Sequence, residues 1–416
     1  MTGVESGTTD TREAGKALAD GPLQGLKAVE FGQLLAGPYV GTLLGDFGAE
    51  VIKVEPPPKG DAMRDWGRLR HNDHSLWWSI LARNKRSVTL NLRTDEGQAV
   101  GRRLAQEADI IVENFRPGTM ERWGLGPEDV HAVNPRAVYA RVTGYGQIGR
   151  YRDRPGFASA SEAMSGLRYF NGYPDQAPPR YGISLGDTLA AQSAFQGILL
   201  ALYARDARGV EGQVVDASIT DACFAMTESS VLEYEKAGVI REPTGPRLPR
   251  IAPSNVYRSK DGRWVVIAAN HDTLWRRLAA LIGKPELADD DRFNSHHARG
   301  ENEDLLDELI GEWAIKHTAE ELDGLVNEAG VVCAPVYTAE DIYRDPYFKE
   351  RRLLIEYDDE VHGRITAPGV VPRLTRTPGR VRQAARWTLG ADTADVLNEL
   401  GVDEAELERL REQGVV

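Results

Sequence analysis

LKAVEFGQLLAGPYVGTLLGDFGAEVIKVE, Leu26–Glu55, is the stretch whose reading decides the fold. LKAVEF (Leu26–Phe31) is a short β-rich run, GQLLAGPYVGTLLGDFG is a glycine-bounded turn and helix, and AEVIKVE (Ala49–Glu55) is the next strand. The pattern continues outward. SVTLNL (Ser87–Leu92) precedes the helical TDEGQAVGRRLAQEA (Thr94–Ala108), DIIVENF (Asp109–Phe115) is a strand, PEDVHAVN a short helix and AVYARVTGY (Ala137–Tyr145) a strand. Strands alternating with helices through short connections predict a parallel sheet covered by helices, an α/β fold.

After Tyr203 the character changes. GQVVDASITDACFAMTESSVLEYEKAG (Gly212–Gly238) reads as a strand feeding a long helix. A proline-rich stretch, Arg241–Asn255, precedes VYRSKDGRWVVIAAN, a hairpin around the turn dipeptide Asp261-Gly262. Three helical patterns follow, beginning at Asp272, Asn302 and Thr318, and the chain closes on the helical TADVLNELGVDEAELERLREQG. The expected division is a loose polar tail (1–20), a large domain (21–224), a smaller α+β domain (225–335) and a C-terminal segment (336–416).

Length and charge narrow the function. At 416 residues the chain exceeds one ordinary core. With 41% hydrophobic and 27% charged residues its composition is that of a soluble globular protein. A net charge of −13 argues against a nucleic-acid or anionic-membrane footprint, which needs clustered Lys and Arg. No run of 18 apolar residues is present, and the N-terminus lacks the apolar core of a signal peptide. Cys223 and Cys333 stand far apart in apolar contexts and read as small buried hydrophobes in a reducing cytoplasm.

Several motifs fail on context. GYGQIG (Gly144–Gly149) matches GxGxxG, but RYRDRPGF follows it, a poor helix start for a dinucleotide site. HNDH (His71–His74) and His296-His297 lack the spacing and third ligand of a zinc site, so no metal is expected. No GxSxG nucleophile elbow appears.

Two segments carry chemistry. VENFRPGTMERWGLG (Val112–Gly126) puts Asn114, Arg116 and Arg122 just beyond a strand's carboxyl end, where open α/β sheets bind ligands. Guanidiniums there suit an anionic, phosphate-bearing ligand, although Arg122 reads equally as a side chain snorkelling on a helix surface. GISLGDTLAAQSAFQGILLAL (Gly182–Leu202) puts one acid, Asp187, before a long apolar helix. The pattern makes it an N-cap with Thr188 opening the helix. A carboxylate kept ionised by helix amides, with Gly186 giving a substrate room to approach, also has the makings of a nucleophile. Both readings stand at this point.

These segments, with NKRSVTLNL, RPGFASASEAMSG (Arg154–Gly166) and HTAEELDGLVNEAGVVCAPVY (His317–Tyr337), resemble in the same order the class III coenzyme A transferases, over nearly the whole chain after residue 20. The resemblance implies a Rossmann-like open parallel sheet built from both ends of the chain, a smaller domain, and two ring-shaped protomers interlocked as a homodimer. It implies that Asp187 is the nucleophile of a ping-pong reaction passing through an aspartyl-CoA thioester, with an acyl-CoA as substrate and no permanently bound cofactor. It further implies CoA contacts at Asn114, Phe115, Arg116 and Arg122, and active-site support from Gln33, Gly186 and Tyr145.

Two departures sharpen this. The glycine-rich lid of formyl-CoA transferases is absent, since the matching region reads RLPRIAPSNVYR. The related α-methylacyl-CoA racemases use a His and an Asp as acid and base; here Phe157 and Ala158 stand in those positions, which removes the proton-transfer pair of that alternative. GFASASEAMSGLRYFNGYPDQAPPRYGISLGD and IAPSNVY look most like the subgroup acting on C4–C5 dicarboxylic acids, the succinyl-CoA:malate, citramalate and mesaconyl-CoA type. A second carboxylate needs a cationic partner, for which Arg180, Arg247 and Arg250 are the candidates.

Overall fold

Six strands form the main sheet: β1 (Lys27–Glu30), β2 (Glu50–Glu55), β3 (Arg86–Thr89), β4 (Ile110–Glu113), β5 (Val138–Thr143) and β6 (Val214–Ser218). The computed structural model describes residues 21–416, so the expected tail, 1–20, lies outside the described residues. The order across the sheet is β3-β2-β1-β4-β5-β6 and every neighbouring pair is parallel. All residues of β4 and β5 are buried, as expected of parallel strands covered on both faces.

Alternate residues of β1, β2, β4 and β5 feed two separate cores. On one face Ala28, Val51, Ile110 and Val138 pack with Val40 and Leu44 of the first helix (Ala36–Asp46) and with Ala190, Ala194 and Ile198 of a long helix, Leu185–Arg208. On the other, Val29, Ile52, Ile111 and Tyr139 meet Val100 and Leu104 of the helix Asp95–Glu107. The same core takes Leu397, Leu407 and Leu410 from the two C-terminal helices, Thr393–Glu399 and Glu404–Glu412. The C-terminal helices therefore cover one face of the main sheet.

The chain divides into two compact units. The first runs to Leu167, resumes over Tyr181–Glu228 and closes with Tyr347–Val416. The second comprises Arg168–Arg180 and Ser229–Pro346. Its antiparallel sheet joins Ser254–Arg258, Trp264–Ala268 and Val332–Pro335, and Gly262 takes the turn at φ 80°. Trp275, Leu278, Ile310 and Leu322 fill its core.

One expectation fails. The long helix foreseen after β6 is two helices, Ile219–Phe224 and Ser230–Ala237. Between them Glu228 takes φ 51°, and the Thr227 hydroxyl donates to the Phe224 carbonyl at 2.8 Å. A Thr-Glu-Ser-Ser run lets side chains satisfy the backbone locally and ends the first helix.

Candidate active site

The strand order reverses between β1 and β4, which opens a crevice beyond their carboxyl ends. The turn after β1, Gly32–Leu35, and the segment after β4, Asn114–Arg116, meet there. The Asn114 amide donates to the Gln33 carbonyl at 2.8 Å, and its oxygen accepts from the Gln33 N–H at 2.8 Å. Glycine is required beside it: a Cβ on Gly32 would lie 2.8 Å from Asn114 Oδ1, and one on Gly37 would lie 3.0 Å from its Cγ. The Asn114 side chain, expected to touch CoA, thus clamps the turn carrying Gln33, whose own side chain stays half-buried.

Under this turn lies a buried ionic network. Lys53 Nζ is 2.8 Å from both Glu30 and Asp61, Lys85 Nζ is 2.7 Å from Glu30, and Arg64 reaches Glu55 at 2.7 Å. Asp61 Oδ1 accepts from the N–H of Leu34 and of Met63, each at 2.9 Å. Leu34 sits at φ 66°, a left-handed conformation costing a β-carbon residue about 1–2 kcal/mol, which these charge-assisted bonds offset. Burial alone would raise the Asp61 carboxyl, but Lys53 and the two amides outweigh it and hold it below the ordinary range. Burial pushes the Lys85 ammonium down to about 8, against the pull of Glu30. The sequence reading missed these residues; the available signal was a lysine inside the apolar strand AEVIKVE.

Asp187 lies half-buried on the first turn of the long helix, but it is not the cap. Ser184 holds the N-cap position without a side-chain capping bond, because Leu185 and Gly186 are already helical. The reason given for Gly186 also changes. It is buried, its N–H donates to Glu162 Oε1 at 2.9 Å, and a Cβ there would lie 2.9 Å from that oxygen and 3.0 Å from Ile219 Cγ2. The space belongs to Glu162 rather than to a substrate. Ser184 and Thr188, on either side of Asp187 in sequence, line a cavity of 580 Å³. Leu35 and Tyr39 from the β1 side also line it, with Trp77 and Ile80 of the helix Leu76–Leu81. An acid at the start of a 24-residue helix is favoured by the amides and dipole there.

A family model for CoA-transferase family III matches residues 23–393. The chain belongs to that family. It is therefore a CoA-transferase, and CoA thioesters are the substrates of its class. It is 49% identical to the succinyl-CoA–D-citramalate CoA-transferase of Chloroflexus aurantiacus, covering 95% of this chain and 98% of the relative. It is 39% identical to the succinyl-CoA–L-malate CoA-transferase alpha subunit of the same organism, over 95% and 92%. The crystal structure of a CAIB/BAIF family protein from Brucella suis superposes with a TM-score of 0.81 at 32% identity, covering 92% of this chain and all of that one.

The remaining candidates of this CoA-transferase fall in distinct places. Phe115 stacks edge-on against Trp123 with ring centroids 5.2 Å apart, and exposed Arg116 donates to the Asp153 carbonyl at 2.7 Å. Arg122 is exposed at the end of a short helix, donating to Thr119 Oγ1 at 3.0 Å. Half-buried Tyr145 packs near Tyr151, and Arg154 and Arg150 lie over the Tyr151 ring at 3.9 and 5.2 Å. Those two arginines join Arg116 in a cationic group that the sequence reading did not single out, although RYRDR advertises it.

In the second unit Arg180 is exposed. Arg247 is held by Asp304 at 2.6 Å and Asp307 at 2.8 Å, and Arg250 pairs with Glu301, so neither offers unneutralised charge. Phe157 is 71% exposed and Ala158 begins a helix, Ala158–Met164. Gly144–Gly149 stays in a loop after β5. Both cysteines are free and buried. Among the described residues no group of three or more His, Cys, Asp or Glu is arranged to hold a metal, and no helix is long and apolar enough to cross a membrane.

Proposed function

We propose that this enzyme moves coenzyme A from succinyl-CoA or a similar thioester to a C4–C5 dicarboxylic acid, with Asp187 as a covalent relay. The observation that carries this reading is the position of Asp187 on the first turn of the long helix, between two residues that line the cavity. In the first step an Asp187 carboxylate oxygen attacks the thioester carbonyl; the C–S bond breaks and CoA leaves as thiolate, giving an aspartyl-acyl anhydride. The thiolate then attacks the Asp187 carbonyl of the anhydride, releasing the donor acid and leaving an aspartyl-CoA thioester. The acceptor carboxylate repeats both steps in reverse. Each step exchanges one activated acyl bond for another, so no external energy source is needed.

The names of the relatives support the dicarboxylate acceptors, citramalate and malate in particular. The first unit is the CoA-binding part in this reading. Arg116, Arg122, Arg150 and Arg154 offer guanidiniums to the CoA phosphates beside Phe115, while the Asn114 clamp presents Gln33, and Tyr145 is a further supporting residue. The proposed assembly is an interlocked homodimer in the cytoplasm. Its support is apolar surface on the long helix, where Leu200 and Tyr203 are 70% and 60% exposed.

The test is CoA transfer from succinyl-CoA to citramalate, malate and short monocarboxylates by wild-type enzyme and Asp187→Ala. The expected result is transfer to the dicarboxylates and loss of at least about a thousandfold in kcat for the variant. Full turnover by Asp187→Ala overturns the relay. Preference for monocarboxylates overturns the acceptor class.

A further inference from the structure

Glu162 is the one acid on the helix Ala158–Met164, and it is 2% exposed. Among the described residues it has no Lys, Arg or His partner. Its Oε1 instead accepts the N–H of Gly186 at 2.9 Å, the residue immediately before Asp187. The missing side chain at Gly186 is what lets Glu162 come so close, since a Cβ there would collide with both its Cγ and its Oε1. The titratable groups at this corner are Glu162, Asp187 of the long helix and Cys223 of the helix Ile219–Phe224. Burial pushes the Cys223 thiol up to about 11, with Glu162 and then Asp187 adding to it, so both carboxylates act on the same small volume.

We infer that Glu162 is a positioning residue for Asp187: it fixes the first turn of the long helix through the Gly186 amide. The inference rests on Asp187 being the covalent relay. An amide bound to Glu162 is not available to Asp187, and the bond ties the turn that carries Asp187 to the neighbouring helix, fixing where the nucleophile stands relative to a bound thioester.

Glu162→Gln keeps the shape and an oxygen for the Gly186 amide; Glu162→Asp shortens the reach to it. The measurements are kcat and KM for succinyl-CoA, thermal unfolding, and trapping of the Asp187 adduct with hydroxylamine. Glu162→Asp is expected to lower kcat roughly tenfold with little change in KM, because the turn carrying the nucleophile is misplaced, whereas Glu162→Gln is expected to keep most of the wild-type kcat. If the Gln variant does not fold, Glu162→Asp decides: an unchanged kcat overturns the inference. Wild-type enzyme that traps Asp187, together with an unchanged kcat in Glu162→Asp, overturns the role of Glu162 alone. Wild-type enzyme that forms no Asp187 adduct removes the relay, and this role with it.

Discussion

The turn after β1 and the first turn of the long helix line the same cavity, yet they are held in different ways. The β1 turn is fixed by side chains from other segments: Asn114 on Gln33, Asp61 on Leu34, and Lys53 and Lys85 on Glu30 beneath. The helix start has an N-cap serine that caps nothing and one outside carboxylate on the Gly186 amide. A left-handed leucine needs that many restraints, whereas a helix supported by 24 residues of its own needs few. The first is held by many side chains, and the second carries Asp187, the proposed relay.

The comparison breaks most visibly at Asp61. Asp61→Asn leaves Lys53 buried with one acid fewer and is expected to cost about 3–5 kcal/mol in denaturant unfolding. The sign with pH follows from the depressed carboxyl. Its stabilisation is full above the unfolded carboxylate range and is lost as pH falls through the lower folded value, so the variant should flatten the acid limb of stability. Wild-type stability in Asp61→Asn would mean that the network does not hold the turn. Asn114→Ala, which removes both bonds to Gln33, should cost about 1–3 kcal/mol and lower kcat/KM by roughly 10- to 100-fold through a misplaced turn. Unchanged kinetics would separate the clamp from the chemistry.

Effects at the other wall are smaller. Gly186→Ala forces a Cβ against Glu162 and Ile219 and should lose about 1–2 kcal/mol in thermal unfolding. A neutral or stabilising result would contradict the tight packing at that corner. Ser184→Ala should change stability by less than about 0.5 kcal/mol, since its hydroxyl makes no capping bond where a true cap contributes about 1. A loss near that larger value would restore Ser184 as a working cap.

Much of this was legible in the sequence. The run from Leu26 to Glu55 predicts the β1-helix-β2 unit because apolar strands and short connections permit little else. Asp187 stood out because it is the lone acid before a long apolar helix. What escaped notice were contacts between distant segments. Asp61 reaches back 27 residues to Leu34, Asn114 reaches 81 to Gln33, and Glu162 reaches 24 forward to Gly186. No periodicity encodes such pairs, and the glycines that admit them look in sequence like ordinary turn or helix-start residues. Asp187 looked like a cap for a local reason: caps are commonly acids, and nothing in ISLGD reveals that the helix has already begun at Leu185.

The most direct measurement is to incubate wild-type enzyme with succinyl-CoA, quench with hydroxylamine or borohydride, and map the modified residue by mass spectrometry. The account predicts a modification on the peptide containing Asp187, dependent on the thioester and absent from Asp187→Ala. Turnover without any adduct on Asp187, or an adduct on another residue that survives Asp187→Ala, would contradict it.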